Sequence, residues 1–412
     1  MTRRWELDAL RGLMLVLMTL THLPTRLSSP WGQPFGYVSA AEGFVLLSAY
    51  MAGMVYGQMA NSQGIDAMRL AFWRRALKVY AWHGGTLLFL FSVIAAVGLR
   101  IDQPAVKDLA AYYLTHPVPA LAAGLLLIYK PPLLDILPMY ILFMLASPWV
   151  LAHGLRGGWR AVMGASLGLW FLAQFGLGLW LYDAAVKLTG LAVPFHETGA
   201  FGTFAWQFLW VLGLWMGAGR TGAAPVPFVF PRWSVLLAAG VAAVCLVWRH
   251  AVGQAPFLSN ASLNLLFDKW QLAPLRLLDL FALMVVMIHF GPALASRLPR
   301  LHALEQFGAA SLPVFCAHLV VVLLVLAFLG ADPAVHPAWV DALVVLASFT
   351  VLYAVARFNL RLESKSPLEK PSGLPLPAAE AGPAAPPLPP SLAGPGKDRP
   401  QSPSARAGSP HH

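Results

Sequence analysis

The sequence is dominated by apolar runs that are each long enough to cross a lipid bilayer. A transmembrane helix needs roughly 17–25 predominantly apolar residues. Charged residues make up only 11% of the 412 positions, against about a quarter in soluble proteins. The chain is therefore predicted to be an all-α, polytopic membrane helix bundle of about ten transmembrane helices. The runs lie at 8–24, 36–58, 76–99, 132–153, 161–182, 203–219, 233–252, 275–296, 308–330 and 338–358.

The arginine and lysine residues predict how this bundle is oriented. Groups of them fall before the first run, between the second and third, the fourth and fifth, and the sixth and seventh, and after the eighth and tenth, and the opposite loops hold fewer for their length. With ten spans, all these positions are on one side, and basic residues accumulate in cytoplasmic loops. Both termini are therefore predicted to be cytoplasmic. The net charge of +10 is assigned to these loops, and no nucleic-acid partner is expected.

The composition changes near residue 361, which divides the chain into a transmembrane domain, 1–360, and a C-terminal tail, 361–412. The segment from 363 onward holds 13 of the 34 prolines. Such a composition cannot bury a core, so the tail is predicted to be a disordered cytoplasmic extension.

Cys245 and Cys316 both lie in apolar runs, and the sequence predicts neither a disulfide framework nor a metal site.

Three ionisable residues interrupt the stretch LDALRGLMLVLMTLTHLP, residues 7–24, which contains the first apolar run. Eleven residues make about three helical turns, so Arg11 and His22 share a face and lie roughly 16–17 Å apart along the axis. Asp8, three residues before Arg11, joins that face. Charged groups within a membrane usually face a cavity or a partner. The alternatives are a topology anchor for Arg11, a helix-start contact for Asp8 and neutral packing for His22.

Glu42 in the second run adds a carboxylate, and the short loop between the first two helices predicts that they are neighbours. A carboxylate beside a histidine fixes the tautomer of the ring and raises its basicity. The alternative is that Glu42 is exposed at the membrane interface. His83, His289 and His318 also lie in apolar runs, and we interpret them as buried packing residues.

Six segments, in order, resemble the OpgC family, membrane succinyltransferases that act on osmoregulated periplasmic glucans, within the acyltransferase type 3 superfamily. The chain differs from the family pattern at Ala49, where glycine is usual, and at His318. The segments are ELDALRG followed by His22, AAEGFVLLSAYMAG, PPLLDILPMYIL, FAWQFLWVLG, DKWQLAPLRLLDLFAL and FGAASLPVFCAHL.

This resemblance implies a role for each matching residue. His22 would be the general base, with Glu42 orienting it. Arg11 would contact the phosphates of the acyl donor or orient the inner half of the site, and Asp8 would hold Arg11. Four further residues would bind the glucan or a succinyl carboxylate, or else form ion pairs at the outer interface: Asp135, Asp268, Lys269 and Arg276.

The predicted function is therefore O-acyl transfer in a bacterial inner membrane. The donor is cytoplasmic acyl-coenzyme A, with succinyl-coenzyme A implied by the resemblance, and it acts as a co-substrate rather than a tightly bound cofactor. The acceptor is a periplasmic glucan or related glycan. Direct transfer is favoured over an acyl-enzyme because no activated nucleophile stands out. The alternatives are a secondary transporter or flippase for a sugar, lipid or acyl donor, since buried polar groups also mark transport pathways, and an acyltransferase-like protein without catalysis. The sequence does not indicate an oligomeric state.

Overall fold

The computed structural model describes residues 5–221 and 228–365, and the regular elements in these two ranges are all helices. Those of eight or more residues, numbered in chain order, are α1 (Trp5–His22), α2 (Ala40–Gln63), α3 (Ile65–Phe89), α4 (Pro117–Leu125), α5 (Ile136–His153), α6 (Trp159–Gln174), α7 (Leu177–Thr189), α8 (Thr203–Ala218), α9 (Arg232–Val252), α10 (Pro274–Arg297), α11 (His302–Ala309), α12 (Ser311–Leu329) and α13 (Ala338–Lys365).

Shorter helical segments connect these helices. The segment Leu90–Ile94 is a π-type turn that continues α3 into Ala95–Arg100. The others are Ser28–Trp31, Pro104–Leu109, Ala111–Thr115, Gly154–Gly158, Phe195–Thr198, Ala261–Asn264, Leu265–Phe267 and Pro333–Val335. The last helix ends at Lys365, beyond the predicted domain boundary at 360. The rest of the predicted disordered tail, 366–412, lies outside the described residues.

Seven helices in the described ranges are long and apolar enough to cross a membrane. They are Ala40–Gln63, Ile65–Arg100, Ile136–Gln174, Arg232–Val252, Pro274–Arg297, Ser311–Leu329 and Ala338–Ser364. The predicted all-α membrane bundle is thereby confirmed, while the number of about ten crossings stays a prediction.

The difference between seven helices and ten predicted runs has local causes. The span Ile136–Gln174 contains α5 and α6, which bend at Gly157, where φ is +94° and a side chain would be strained. Helices α1 and α8 are not among the seven, because α1 carries three charged residues and α8 is only 16 residues long. The predicted run 161–182 is interrupted at Gly176, so it forms parts of two helices, α6 and α7.

Helices α2 and α8 pack closely because small residues face each other at a spacing of four. Gly213 on α8 lies against Ala49 on α2, Gly217 lies against the backbone of Tyr50, and Gly53 on α2 lies against the backbone of Leu214. A Cβ at Gly217 would overlap the backbone oxygen of Tyr50. Lipid tails are as apolar as the side chains, so close backbone packing of this kind drives helix association in membranes.

A second close crossing joins α1 to α11. Gly12 lies against the backbone of Leu304, and Gly308 lies against the backbone of Asp8. Helix α12 begins two residues after α11 ends, so this crossing brings α12 beside α1. The polar face of α1 consequently meets α12 rather than lipid.

The α2–α8 contact predicts a stability effect. We expect Gly217→Ala to lower the thermal unfolding temperature in detergent, because overpacking a close contact costs about 1–3 kcal/mol. Gly168→Ala on α6 is the matched control, since a Cβ there meets nothing within 4 Å. Equal unfolding temperatures for the two variants would contradict this account of the packing.

Candidate active site

A cavity of about 430 Å³ lies at the C-terminal end of α1. His22, the last residue of α1, lines it and is half-buried. Three chain segments outside α1 supply the other charged and titratable side chains of the lining, which are Lys130, Asp135, His196 and Lys269. We call this space the histidine cavity. Its volume is in the range of pockets that bind small molecules, about 300–1,000 Å³.

The imidazole of His22 contacts a second histidine. Nδ1 of His22 lies 3.2 Å from Nε2 of His318, and the two rings are nearly parallel, with an interplanar angle of 17°. Nδ1 of His318 lies 2.5 Å from the backbone oxygen of Phe315. In the described part of the chain, Nε2 of His22 makes no hydrogen bond. The predicted base therefore has one ring nitrogen held and the other open to chemistry.

Glu42 contacts Arg276 and Ser39, whereas the sequence predicted a contact with His22. Nε of Arg276 donates to one carboxylate oxygen of Glu42, and the backbone N–H of Ser39 donates to the other at 3.0 Å. The Glu42 and Arg276 side chains are only 0% and 1% exposed. A buried carboxylate requires a cation and hydrogen-bond donors, and Arg276 meets that need where a neutral imidazole does not. The guanidinium of Arg276 is therefore already paired with the carboxylate of Glu42.

Asp135 and Lys130 face each other on one wall of the histidine cavity. Asp135 accepts a hydrogen bond from the backbone N–H of Ala200 at 3.2 Å, and burial raises the pKa of this carboxyl to about 6. Burial lowers the pKa of Lys130, partly offset by the charge of Asp135. Lys130 was not among the predicted site residues, although it stands directly before the predicted family segment PPLLDILPMYIL.

Lys269 lines the histidine cavity, whereas Asp268 shapes the turn that carries it. The side chain of Asp268 accepts from the backbone N–H groups of Trp270 and Gln271, at 3.1 and 3.2 Å. Nζ of Lys269 lies 4.9 Å from the ring centroid of Trp270, and burial lowers the pKa of this ammonium group. Of the two predicted residues, the structure thus brings only Lys269 to the cavity lining.

Arg11 lines a second, much smaller cavity of about 30 Å³, together with Arg75. We call it the arginine cavity. Arg11 donates to the hydroxyl of Ser311, and its other terminal nitrogen lies 3.2 Å from Sδ of Met51. Asp8 is buried on α1, near the crossing with α11. Ile136 and Phe315 line both cavities, so the two spaces meet at these side chains.

One face of α12 links the two cavities. Ser311, Phe315 and His318 are spaced by four and three residues, which places them on one helix face. Ser311 contacts Arg11, and His318 contacts His22. Phe315 lies between the two cavities. His318 was predicted to be a packing residue. Its spacing of two helical turns from Ser311 indicates that the two side chains share a helix face, but a single sequence does not reveal that this face contacts α1.

Neither cavity contains a group suited to a metal ion. Among the described residues, no cluster of three or more His, Cys, Asp or Glu side chains is arranged to hold one. The site instead offers His22 with an open ring nitrogen, together with two lysines, one carboxylate and the exposed His196. This set of groups is suited to proton transfer and to binding an anion.

Comparison with known proteins places nearly the whole described chain in one family. The model of the family described as OpgC protein matches residues 3–364. No curated protein and no solved structure matches the chain. The chain therefore belongs to the OpgC family, an assignment that carries an acyltransferase-like function in glucan modification.

Proposed function

We propose that this protein is an inner-membrane O-acyltransferase that moves a succinyl group from succinyl-coenzyme A to a hydroxyl of a periplasmic glucan. The observation that carries the proposal is His22, whose Nδ1 is held by His318 and whose ring lines a 430 Å³ cavity. A histidine within reach of a substrate hydroxyl acts as a general base.

The reaction is a direct transfer. His22 removes the proton from the glucan hydroxyl, and the oxygen attacks the carbonyl carbon of the thioester. The carbon–sulfur bond breaks, an ester forms, and the departing thiolate takes the proton back from His22. Direct attack is favoured because the serine hydroxyls in the two cavity linings are already engaged, Ser39 with Glu42 and Ser311 with Arg11.

The charges in the histidine cavity suit a dicarboxylic acyl group. Lys130 and Lys269 face one carboxylate, Asp135, which leaves an excess of positive charge. A succinyl group ends in a carboxylate, and ion-paired hydrogen bonds to lysine are stronger than neutral ones. Arg276 is excluded as a direct ligand because it is buried against Glu42. Lys130 and Lys269 are therefore the proposed acyl-carboxylate ligands.

The arginine cavity is the proposed entrance for the donor. With cytoplasmic termini, Arg11 lies nearer to the cytoplasm than His22 on α1. Arginine binds phosphate through a planar set of donors, and both Arg11 and Arg75 line this cavity. The pantetheine arm then passes between Ile136 and Phe315 to bring the thioester to His22.

Loss of the base should abolish most transfer. We expect His22→Ala to lower kcat about 10²–10⁴-fold, the usual contribution of a general base. The measurement is mass-spectrometric detection of succinylated gluco-oligosaccharide formed by purified protein in detergent. His289→Ala is the control and should keep full activity, because His289, which the sequence predicted to be buried, is exposed and lies outside both cavities.

The same assay separates the acyltransferase from a transporter or flippase. Transport needs a sealed compartment, whereas acyl transfer proceeds in detergent. Full activity of His22→Ala would contradict the role of the base, and a complete lack of transfer by the unmodified protein would contradict the enzyme itself.

Selectivity for the acyl group tests the lysine ligands. We expect Lys269→Met to raise the KM for succinyl-coenzyme A about tenfold or more, because a hydrogen bond to a charged group contributes about 1.5–3 kcal/mol. The KM for acetyl-coenzyme A, which has no acyl carboxylate, should change little. Lys187→Met, at an exposed position on α7, is the control. An equal loss with both donors would contradict a carboxylate contact.

Donor binding at the arginine cavity is tested with two adjacent arginines. We expect Arg75→Ala to raise the KM for succinyl-coenzyme A about tenfold with a smaller effect on kcat, since a lost phosphate contact weakens binding before chemistry. Arg74→Ala is the matched control because Arg74 is exposed and does not line the cavity. Identical KM values for the two variants would place the donor phosphates elsewhere.

A further inference from the structure

His318 and His22 form a chain of hydrogen bonds that starts at a backbone carbonyl. The oxygen of Phe315 can only accept, so Nδ1 of His318, 2.5 Å away, must carry a proton. If His318 is neutral, its Nε2 is then an acceptor. The nitrogen that faces it at 3.2 Å, Nδ1 of His22, must therefore be the donor. This assignment leaves Nε2 of His22 with its lone pair.

The surroundings of His318 favour its neutral form. Its side chain is 0% exposed, and within the described ranges its hydrogen-bond partners are His22 and Phe315, neither of which is an acid. A charged imidazolium buried without a counter-ion is costly. Two lysines and one aspartate in the adjoining cavity already leave excess positive charge there. The titratable and charged groups that line this cavity beside His22 are Lys130, Asp135, His196 and Lys269.

We propose that His318 is a positioning residue that fixes the tautomer and the ring orientation of His22, so that Nε2 presents its lone pair to the acceptor hydroxyl. This inference rests on the function proposed for His22. When Nε2 takes the hydroxyl proton, His22 becomes positively charged and its Nδ1–H still donates to His318. That hydrogen bond strengthens as the charge develops, and it weakens again when the proton passes to the departing thiolate.

The same chain provides a histidine with a purely structural environment for comparison. His83 on α3 is also 0% exposed, and its Nε2 lies 3.1 Å from the backbone oxygen of Gly124. His83 does not line the histidine cavity. Replacing it removes a buried imidazole and a hydrogen bond to a backbone carbonyl without affecting the orientation of His22.

The test compares His318→Leu, His318→Gln and His83→Leu as purified full-length proteins. We expect His318→Leu to lower kcat about tenfold or more with little change in KM, as the partner of a catalytic histidine can contribute up to about 10⁴-fold. The amide oxygen of glutamine can accept from Nδ1 of His22, so His318→Gln should recover much of the activity. His83→Leu should keep kcat even if its unfolding temperature falls.

The pH profile separates positioning from stability. An acceptor at His318 stabilises charged His22 more than neutral His22, so its loss should move the acid limb of kcat/KM to lower pH. A purely structural effect lowers the amount of active protein without moving that limb. An unmoved limb in His318→Leu, or an equal loss of kcat in His83→Leu, would overturn the inference.

A measurement on the unmodified protein covers the case in which His318→Leu does not fold. Nitrogen-15 NMR of histidine-labelled protein, with the His22 signals assigned by comparison with His22→Ala, should show protonated Nδ1 and unprotonated Nε2 in His22. The opposite tautomer would overturn the inference directly. If this tautomer is found while His22→Ala keeps full activity, the proposed function fails and the hydrogen-bond geometry stands. If His22→Ala is inactive and His318→Leu matches the unmodified protein, only the positioning role fails.

Discussion

The buried ion pair between Glu42 and Arg276 is the interaction on which the histidine cavity depends. It ties the start of α2 to the start of α10, and Ser39, which donates to Glu42, also lines the cavity. Two charges this deeply buried are stable only together, because removing one partner of such a pair costs about 3–5 kcal/mol. The pair therefore fixes the relative positions of the wall formed by α2 and the segment carrying Lys269.

Helix α12 aligns its polar side chains with those of α1, so that Ser311 meets Arg11 and His318 meets His22. Arg11 and His22 are separated by eleven residues on α1, whereas their partners Ser311 and His318 are separated by seven on α12. The rise of 1.5 Å per residue makes these intervals about 16.5 and 10.5 Å. The long side chain of Arg11 bridges much of the difference. The α1–α11 crossing at Gly12 and Gly308 sets this alignment, so packing far from the cavity determines the geometry within it.

The sequence was sufficient for the all-α membrane bundle and for the polar face of α1, because apolar run length and helical spacing are local properties, but not for the helix breaks at Gly157 and Gly176. It also selected Lys269 and Asp135, which do line the cavity. It was not sufficient for pairings between helices. Glu42 was expected beside His22 because their helices are adjacent in the chain, but the need to neutralise a buried carboxylate brought it to Arg276, 234 residues away. His318 was predicted to be a packing residue for the same reason, since its partner His22 lies 296 residues away.

The proposed reaction gives one physical explanation for the absence of Glu42 beside His22 and for the presence of His318 there. A carboxylate beside His22 would raise the basicity of the ring, but it would also place negative charge where an anionic acyl group must bind. A neutral histidine accepts the same hydrogen bond without adding that charge. Glu42 also acts on Lys269, but Arg276 balances its charge, so among the described groups around the cavity the cations Lys130, Lys269 and Arg276 outnumber the carboxylates Glu42 and Asp135. Under the proposed reaction, a histidine at position 318 therefore allows an oriented base and an anionic acyl group to share one small cavity.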